Sequence, residues 1–217
     1  MKNEAIIIYL VFVFSMLLSS CAGESKEDAV YKEIIIGNQV WMTENLNVDK
    51  FRNGDSILEI KSTEEWRKAG VNQQPAWCYY NNDPDNAEKH FKLYNWYAVN
   101  DPRVLAPKGW HIPTKDEWTE LINYLGGETR ACRKIKNTKG WEGGYNGTNE
   151  SGFSGIPGGC RKFDGTFSSI GQEANWWSSS EDNIENAFYR SLINDFAFIH
   201  TVTYGKANGF SVRCIRD

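Results

Sequence analysis

The sequence predicts an α+β domain in which a few short helices pack on a small, mainly antiparallel sheet with long ordered loops between them. Three observations point there. A single well-formed amphipathic helix follows Thr114, with Trp118, Leu121, Ile122 and Leu125 on one stripe. Short aromatic-rich segments, several with strand-like alternation, lie on either side of it between glycine and asparagine turns. No internal repeat or second bundle-like periodicity divides the chain, so residues 30–217 read as one domain.

The first residues are set apart from that fold. Lys2 gives a weak positive start and Ala5–Leu18 is nearly all apolar, yet shorter than the about 20 residues a bilayer span requires. Residues 1–20 therefore read as an export signal. Leu18-Ser19-Ser20-Cys21 resembles a bacterial lipobox, which makes Cys21 the predicted lipidation site and residues 21–29 a lipidated polar tether. Ala22 and Gly23 follow with no aspartate beside the cysteine, resembling the sorting pattern of outer-membrane lipoproteins; the leaflet stays open. The membrane is thus a partner through acyl chains at Cys21. The formal charge is −4, and loss of Lys2 and Glu4 with the signal leaves it unchanged. So mild an acidic excess carries no nucleic-acid footprint.

In chain order, Lys32–Ile36 and Gln39–Met42 read as a hairpin across Gly37-Asn38. Ser62 and Glu65 cap a short helix that ends at Gly70. Ala76–Tyr80 is a strand, closed by the turn-forming Asn81-Asn82-Asp83-Pro84. Lys92–Val99 suits strand or helix equally. Thr114 and Glu117 form a capping box for the central helix, which docks through Trp118. Cys132–Ile135 is a short helical turn. Residues 137–159 are rich in glycine but carry Trp141, Tyr145, Phe153 and Ile156, which predicts a packed loop rather than a linker. Strands follow at Asn175–Ser179 and Asn186–Leu192. Alternation from Phe196 to Tyr204 predicts another, and Phe210–Arg216 closes the sheet with Phe210, Val212 and Cys214 inward and Arg213 outward.

Cys78, Cys132, Cys160 and Cys214 remain after Cys21. Export permits disulfides, four cysteines allow three complete pairings, and free buried thiols are the alternative.

Little in the sequence points to catalysis. His90, His111 and His200 are far apart, with no HExxH, nucleophile elbow or phosphate loop. No catalytic residue is assigned and no cofactor is expected. The metal is left open: the oxygens of Asn81–Asn86 and Glu181–Asn186 are of the hard type calcium uses, but neither follows an EF-hand loop, and solvated turns are the alternative. The surplus of aromatics, with 9 Trp, 10 Tyr and 11 Phe, favours recognition of a glycan or an envelope protein. Trp141, Tyr145, Trp176 and Trp177 would supply flat apolar surfaces, and Asn146, Asn149 and Glu150 directional hydrogen bonds. The competing readings are that these aromatics are all core, and that the protein is a structural surface-assembly component.

Several phrases run through nearly the whole mature chain in one order: Ile36-Gly37-Asn38-Gln39-Val40-Trp41-Met42, Leu93-Tyr94-Asn95-Trp96-Tyr97-Ala98, Pro107-Lys108-Gly109-Trp110-His111-Ile112-Pro113-Thr114, Trp176-Trp177-Ser178-Ser179 and Gly209-Phe210-Ser211-Val212-Arg213-Cys214. By these the chain resembles the Fibrobacter succinogenes major paralogous domain family of exported bacterial lipoproteins. The resemblance implies a C-type-lectin-like fold, similar to that of formylglycine-generating enzymes, and no established reaction or ligand. It turns attention to Cys214 as a thiol, which the core-facing alternation makes structural. Cys78 and Cys214 fall at familiar family positions, whereas Cys132 and Cys160 are additions and Ala106 replaces a common cysteine. The resemblance thereby implies Cys132–Cys160 and Cys78–Cys214 bridges.

Overall fold

The computed structural model describes residues 30–217. The expected signal sequence, Cys21 and the tether lie outside these residues. Among them, no helix is long and apolar enough to cross a membrane.

The chain opens with strands β1 (Glu33–Ile36) and β2 (Gln39–Met42), an antiparallel hairpin closed by Gly37 at φ 65°. A two-residue strand β3 (Leu58–Glu59) precedes helix α1 (Thr63–Val71), capped by the Ser62 hydroxyl and docked through Trp66 and Ala69. Strand β4 (Ala76–Tyr79) leads through short 3₁₀ turns to β5 (Lys92–Asn95). The ambiguous Lys92–Val99 segment is both things: Asn95 ends β5, and its side chain caps helix α2 (Trp96–Val99) by accepting from Ala98 N.

Strand β6 (Trp110–His111) precedes helix α3 (Lys115–Tyr124), and the capping box is present in full. Thr114 Oγ1 accepts from Glu117 N at 3.2 Å while Glu117 Oε2 accepts from Thr114 N at 2.8 Å. Trp118, Leu121, Ile122 and Leu125 are buried. Helix α4 (Glu128–Ile135) is longer than the turn expected at Cys132–Ile135, beginning directly after Gly127.

The C-terminal part builds the larger sheet from β7 (Gly158–Arg161), β8 (Phe167–Ile170), β9 (Glu173–Glu181), β10 (Asn186–Ile193), β11 (His200–Gly205) and β12 (Gly209–Phe210). Its order is β11-β10-β9-β7-β12-β5-β4-β3, with β8 paired to β7. The short β13 (Ile215–Arg216) completes a four-stranded sheet, β1-β2-β13-β6. Pairing is antiparallel except at β3/β4 and β7/β9.

Three sequence expectations are corrected here. The strand expected from Phe196 begins only at His200; Phe196 and Phe198 sit on an exposed turn, and Ile199 alone of that segment is buried in the core. The closing strand is interrupted between β12 and β13, where residues 211–214 run between other segments: Leu46 N donates to Val212 O at 2.8 Å, Met42 N to Cys214 O at 3.0 Å and Trp177 N to Ser211 O at 3.1 Å. Arg213 is consequently not outward. It is fully buried, as are Val212 and Cys214, because both faces of this segment are covered.

The interior has three clusters. Trp77, Tyr94, Trp110, Trp177, Phe210 and Cys214 belong to the first. Trp41, Trp118, Trp141, Phe153, Trp176 and Ile215 belong to the second. A third lies around Trp66, Cys78, Tyr80 and Leu93. Adjacent Trp176 and Trp177 enter different clusters because successive side chains on a strand point to opposite faces.

The four cysteines are free and buried, which corrects the expected Cys78–Cys214 and Cys132–Cys160 bridges. Their surroundings differ: Cys160 Sγ is 3.2 Å from Ser168 Oγ, Cys132 Sγ donates to Phe196 O at 3.6 Å, and Cys78 and Cys214 lie in separate clusters.

Candidate functional site

The principal concavity is a cleft of about 850 Å³ made mostly by loops. One wall is the glycine-rich segment, and the end of α4 explains why that segment is ordered. The last carbonyls of a helix lack intrahelical partners. Here Arg133 O accepts from Thr148 N at 2.9 Å, Lys134 O from Ser151 N at 3.3 Å, Ile135 O from Gly155 N at 2.8 Å and Lys136 O from Asn149 N at 3.1 Å. The loop is therefore the C-terminal cap of α4. Trp141 and Phe153 pin it into the second cluster. A further bond, Glu142 N to Gly171 O at 2.8 Å, ties it to the turn after β8.

Glu88, Lys89, His90 and Phe91 also line the cleft. Phe91 N donates to Asn86 O at 3.1 Å, and Phe91 has φ 66°. That left-handed backbone costs a non-glycine residue about 1–2 kcal/mol. Phe91 and Glu44 also line a second chamber of about 260 Å³, so the two residues stand at the partition between the spaces.

Arg213 underlies the cleft. Its Nη1 donates to Met42 O at 2.9 Å and Phe153 O at 2.6 Å, its Nη2 and Nε both reach Asn45 Oδ1, and the guanidinium lies 4.2 Å from the Phe153 ring centroid. Burial pulls its pKa down to about 9. This cation joins the end of β2, the glycine-rich loop and the segment before β13 with no carboxylate partner. Lys136 acts similarly, donating to Ile193 O at 2.7 Å and Asn194 O at 2.9 Å over the Trp141 ring.

The apolar part of the lining comes from Phe91, Ile156, Pro157 and Ile170, and charged residues of both signs line the cleft as well. Among the described residues, Glu88, Lys89, Lys139 and Glu142 make no salt bridge. Burial, aided by Lys89, lowers the His90 pKa, and its Nδ1 is sealed without a partner.

None of the ligand contacts expected from sequence lines this cleft. Trp141, Trp176 and Trp177 are core residues, and their indole N–H groups donate to Gly155 O, Asn45 Oδ1 and Tyr94 O. All 9 tryptophans are buried, so the tryptophan part of the aromatic surplus is core, whereas Tyr124, Tyr145, Phe163, Phe196, Phe198 and Tyr204 are exposed. Asn146 Oδ1 accepts from Trp141 N, and Asn149 Oδ1 from Ser154 N, so both amides serve the loop's own folding. Tyr145 and Glu150 are exposed, outside the cleft. The glycine-rich loop that carries Trp141, Tyr145, Asn146, Asn149 and Glu150 lines the cleft through other residues, among them Asn137, Lys139, Glu142 and Ile156. Phe91 went unnoticed because no local signal marks a phenylalanine with positive φ.

The geometry also bears on chemistry. Cys214 is sealed, and burial pushes its thiol up to about 12, so it is protonated at neutral pH and out of reach. His111 is held at both nitrogens, by Asp217 at 2.9 Å and Glu117 at 2.8 Å. Among the described residues, no group of three or more His, Cys, Asp or Glu is placed to hold a metal ion. In the two turns considered for calcium, Asp83 Oδ1 and Asn183 Oδ1 already accept from backbone N–H groups.

A comparison with curated proteins finds no match, and a comparison with solved structures finds none. The sequence matches the family profile described as the Fibrobacter succinogenes major domain over residues 34–216. That match takes in both sheets, all four helices and the cleft, and the chain belongs to the Fibrobacter succinogenes major domain family.

Proposed function

We propose that this chain is a non-enzymatic envelope lipoprotein, exported, lipidated at Cys21 and held at the outer membrane, which binds a glycan or protein ligand through its loops. The observation that carries the binding reading is the cleft: a partly apolar lining with polar groups beside it, of a size suited to small ligands and built on loops that a packed sheet and helix end hold in place. A C-type-lectin-like organisation, with long loops carried on a small mixed sheet, suits the same use. The sealed Cys214 thiol weighs against an activity related to formylglycine-generating enzymes.

A structural surface-assembly role is the second reading, favoured by the exposed turn bearing Phe196 and Phe198. Phe198 packs against His200 with ring centroids 4.3 Å apart and planes tilted by 48°, leaving an aromatic knob suited to a protein neighbour. Intact-mass measurement of the mature protein tests lipidation at Cys21. Saturable binding lost on Phe91→Ala but kept in Phe198→Ala supports the cleft; co-purification of a stable partner that depends on Phe198, with no soluble ligand bound, supports assembly.

A further inference from the structure

We infer that the ligand of the cleft is an extended peptide segment bearing both a cationic and an anionic group, seated with an apolar side chain against Phe91. The inference rests on the binding reading above and narrows its ligand class.

Three features carry it. The first is charge. Glu88, Lys89, Lys139 and Glu142 all line the cleft, and none is neutralised by an ion pair among the described residues. Glu142 has only the neutral Gln172 amide on its Oε2, at 2.8 Å. A lining presenting one sign would select an anion or a cation; a lining presenting both complements a chain with charges of both signs.

The second is the missing stacking platform. Sugar recognition draws on exposed indole or phenol faces, and no tryptophan or tyrosine lines this cleft. Its apolar lining is Phe91 with aliphatic Ile156, Pro157 and Ile170, suited to a leucine- or phenylalanine-sized side chain. Beside it the Asn137 amide nitrogen is a side-chain donor of the kind that pairs with a peptide carbonyl, its oxygen already accepting from Thr138 N.

The third is Phe91 itself. Its left-handed backbone places an aromatic ring at the partition between the main cleft and the smaller chamber. Phe91 is one of eight non-glycine residues with positive φ among the described residues and the one of them that is an aromatic, and such strained positions cluster at ligand clamps. The ring is thereby placed to close over a side chain entering between the two spaces.

The test uses the purified full chain in mild detergent against a positional-scanning hexapeptide library and against neutral and acidic glycan arrays. The expected result is saturable binding of peptides with a central apolar residue and flanking residues of both signs, without saturable glycan binding. Phe91→Ala should weaken the selected peptide about tenfold or more, and Lys139→Glu should shift selection away from acidic flanking residues. Phe91→Gly removes the ring while suiting the positive φ, so equal loss of binding there, with an unchanged far-UV spectrum, assigns the effect to the ring rather than to folding. Glycan binding that depends on Phe91 overturns the peptide class and leaves the cleft reading standing. Binding indifferent to both Phe91 and Lys139 overturns the cleft, and absence of binding to either library overturns both.

Discussion

Arg213 and Asn45 form a buried pair in which one neutral amide oxygen receives two donors of the guanidinium, Nη2 at 2.8 Å and Nε at 3.1 Å. Trp176 Nε1 donates to the same oxygen at 2.8 Å, while Asn45 Nδ2 has no partner. One acceptor thus joins the chain after β2, the segment before β13 and the middle of β9. Removing it takes an acceptor from a buried cation that keeps only Met42 O and Phe153 O, a loss of about 1.5–3 kcal/mol. Asn45→Leu is expected to destabilise the domain by that amount in urea titrations. Arg213→Lys should also be strongly destabilising, because a single ammonium cannot reproduce the planar fork that reaches Asn45, Met42 and Phe153 together.

The cysteines give a second prediction. Burial pushes the thiols of Cys78 and Cys214 up to about 12, and those of Cys132 and Cys160 upward as well. The thiolate is the reactive form, and none of the four is exposed. Maleimide at mildly alkaline pH should leave all four unmodified in the folded protein and modify all four in denaturant. Unfolding midpoints with and without reductant should coincide, and a midpoint lowered by reductant would contradict free thiols.

What the sequence made legible was local. Thr114 and Glu117 announce the start of α3 because a capping box needs only neighbours three residues apart, and Ser62 announces α1 in the same way. Asn95 divides strand from helix by its own side chain, yet the aromatics around it suit both states and hide the boundary. Arg213 defeated the alternation rule because a segment covered on both faces has no outer side to which a polar residue can be assigned. Phe196 and Phe198 met the rule while lying on a turn. Trp141, Trp176 and Trp177 were expected as ligand contacts because the sequence reports an aromatic surplus without reporting that three separate clusters absorb its tryptophans. The cleft depends on which loop caps α4 and on one positive φ at Phe91, both set by contacts distant in sequence.

His111 supplies a pH dependence. Burial alone would lower its pKa, but hydrogen bonds to Glu117 and Asp217 override this and raise it from the ordinary 6.5. Glu117 moves the other way: burial would raise it, but the bonds from Thr114 and His111 prevail and lower it from 4.5. The His111 contribution is fully present below 6.5 and is lost as pH rises through its raised folded value. The Glu117 contribution is present above 4.5 and is lost as pH falls through its depressed folded value. The tie between β6 and the start of α3 is therefore strongest between these limits. Thermal melts of the protein and of His111→Gln should differ most between the ordinary values of 4.5 and 6.5 and converge as pH rises through the raised folded value of His111. A gap that widens with rising pH would exclude an ionised His111 as the tie.

Gly147 tests whether the glycine-rich loop is structured by α4. A Cβ placed there would lie 2.3 Å from Lys136 O and 2.5 Å from Arg133 O, two of the carbonyls that the loop caps. Backbone at both contacts cannot swing aside as a flexible side chain would. Gly147→Ala must therefore displace the loop or open the helix end, leaving helix carbonyls without donors. The expected loss is about 1–3 kcal/mol, with faster amide exchange at Thr148, Asn149 and Gly155, whose N–H groups make the capping bonds. Gly144→Ala is the control: no atom lies within 4 Å of its added Cβ, so only its positive φ, 76°, is at issue and the cost should be smaller. Because the same loop forms one wall of the cleft, Gly147→Ala should also weaken ligand binding with Lys139 and Glu142 intact. Equal stability of the two variants, with unchanged exchange at the capping amides, would show that the loop is held by Trp141 and Phe153 alone.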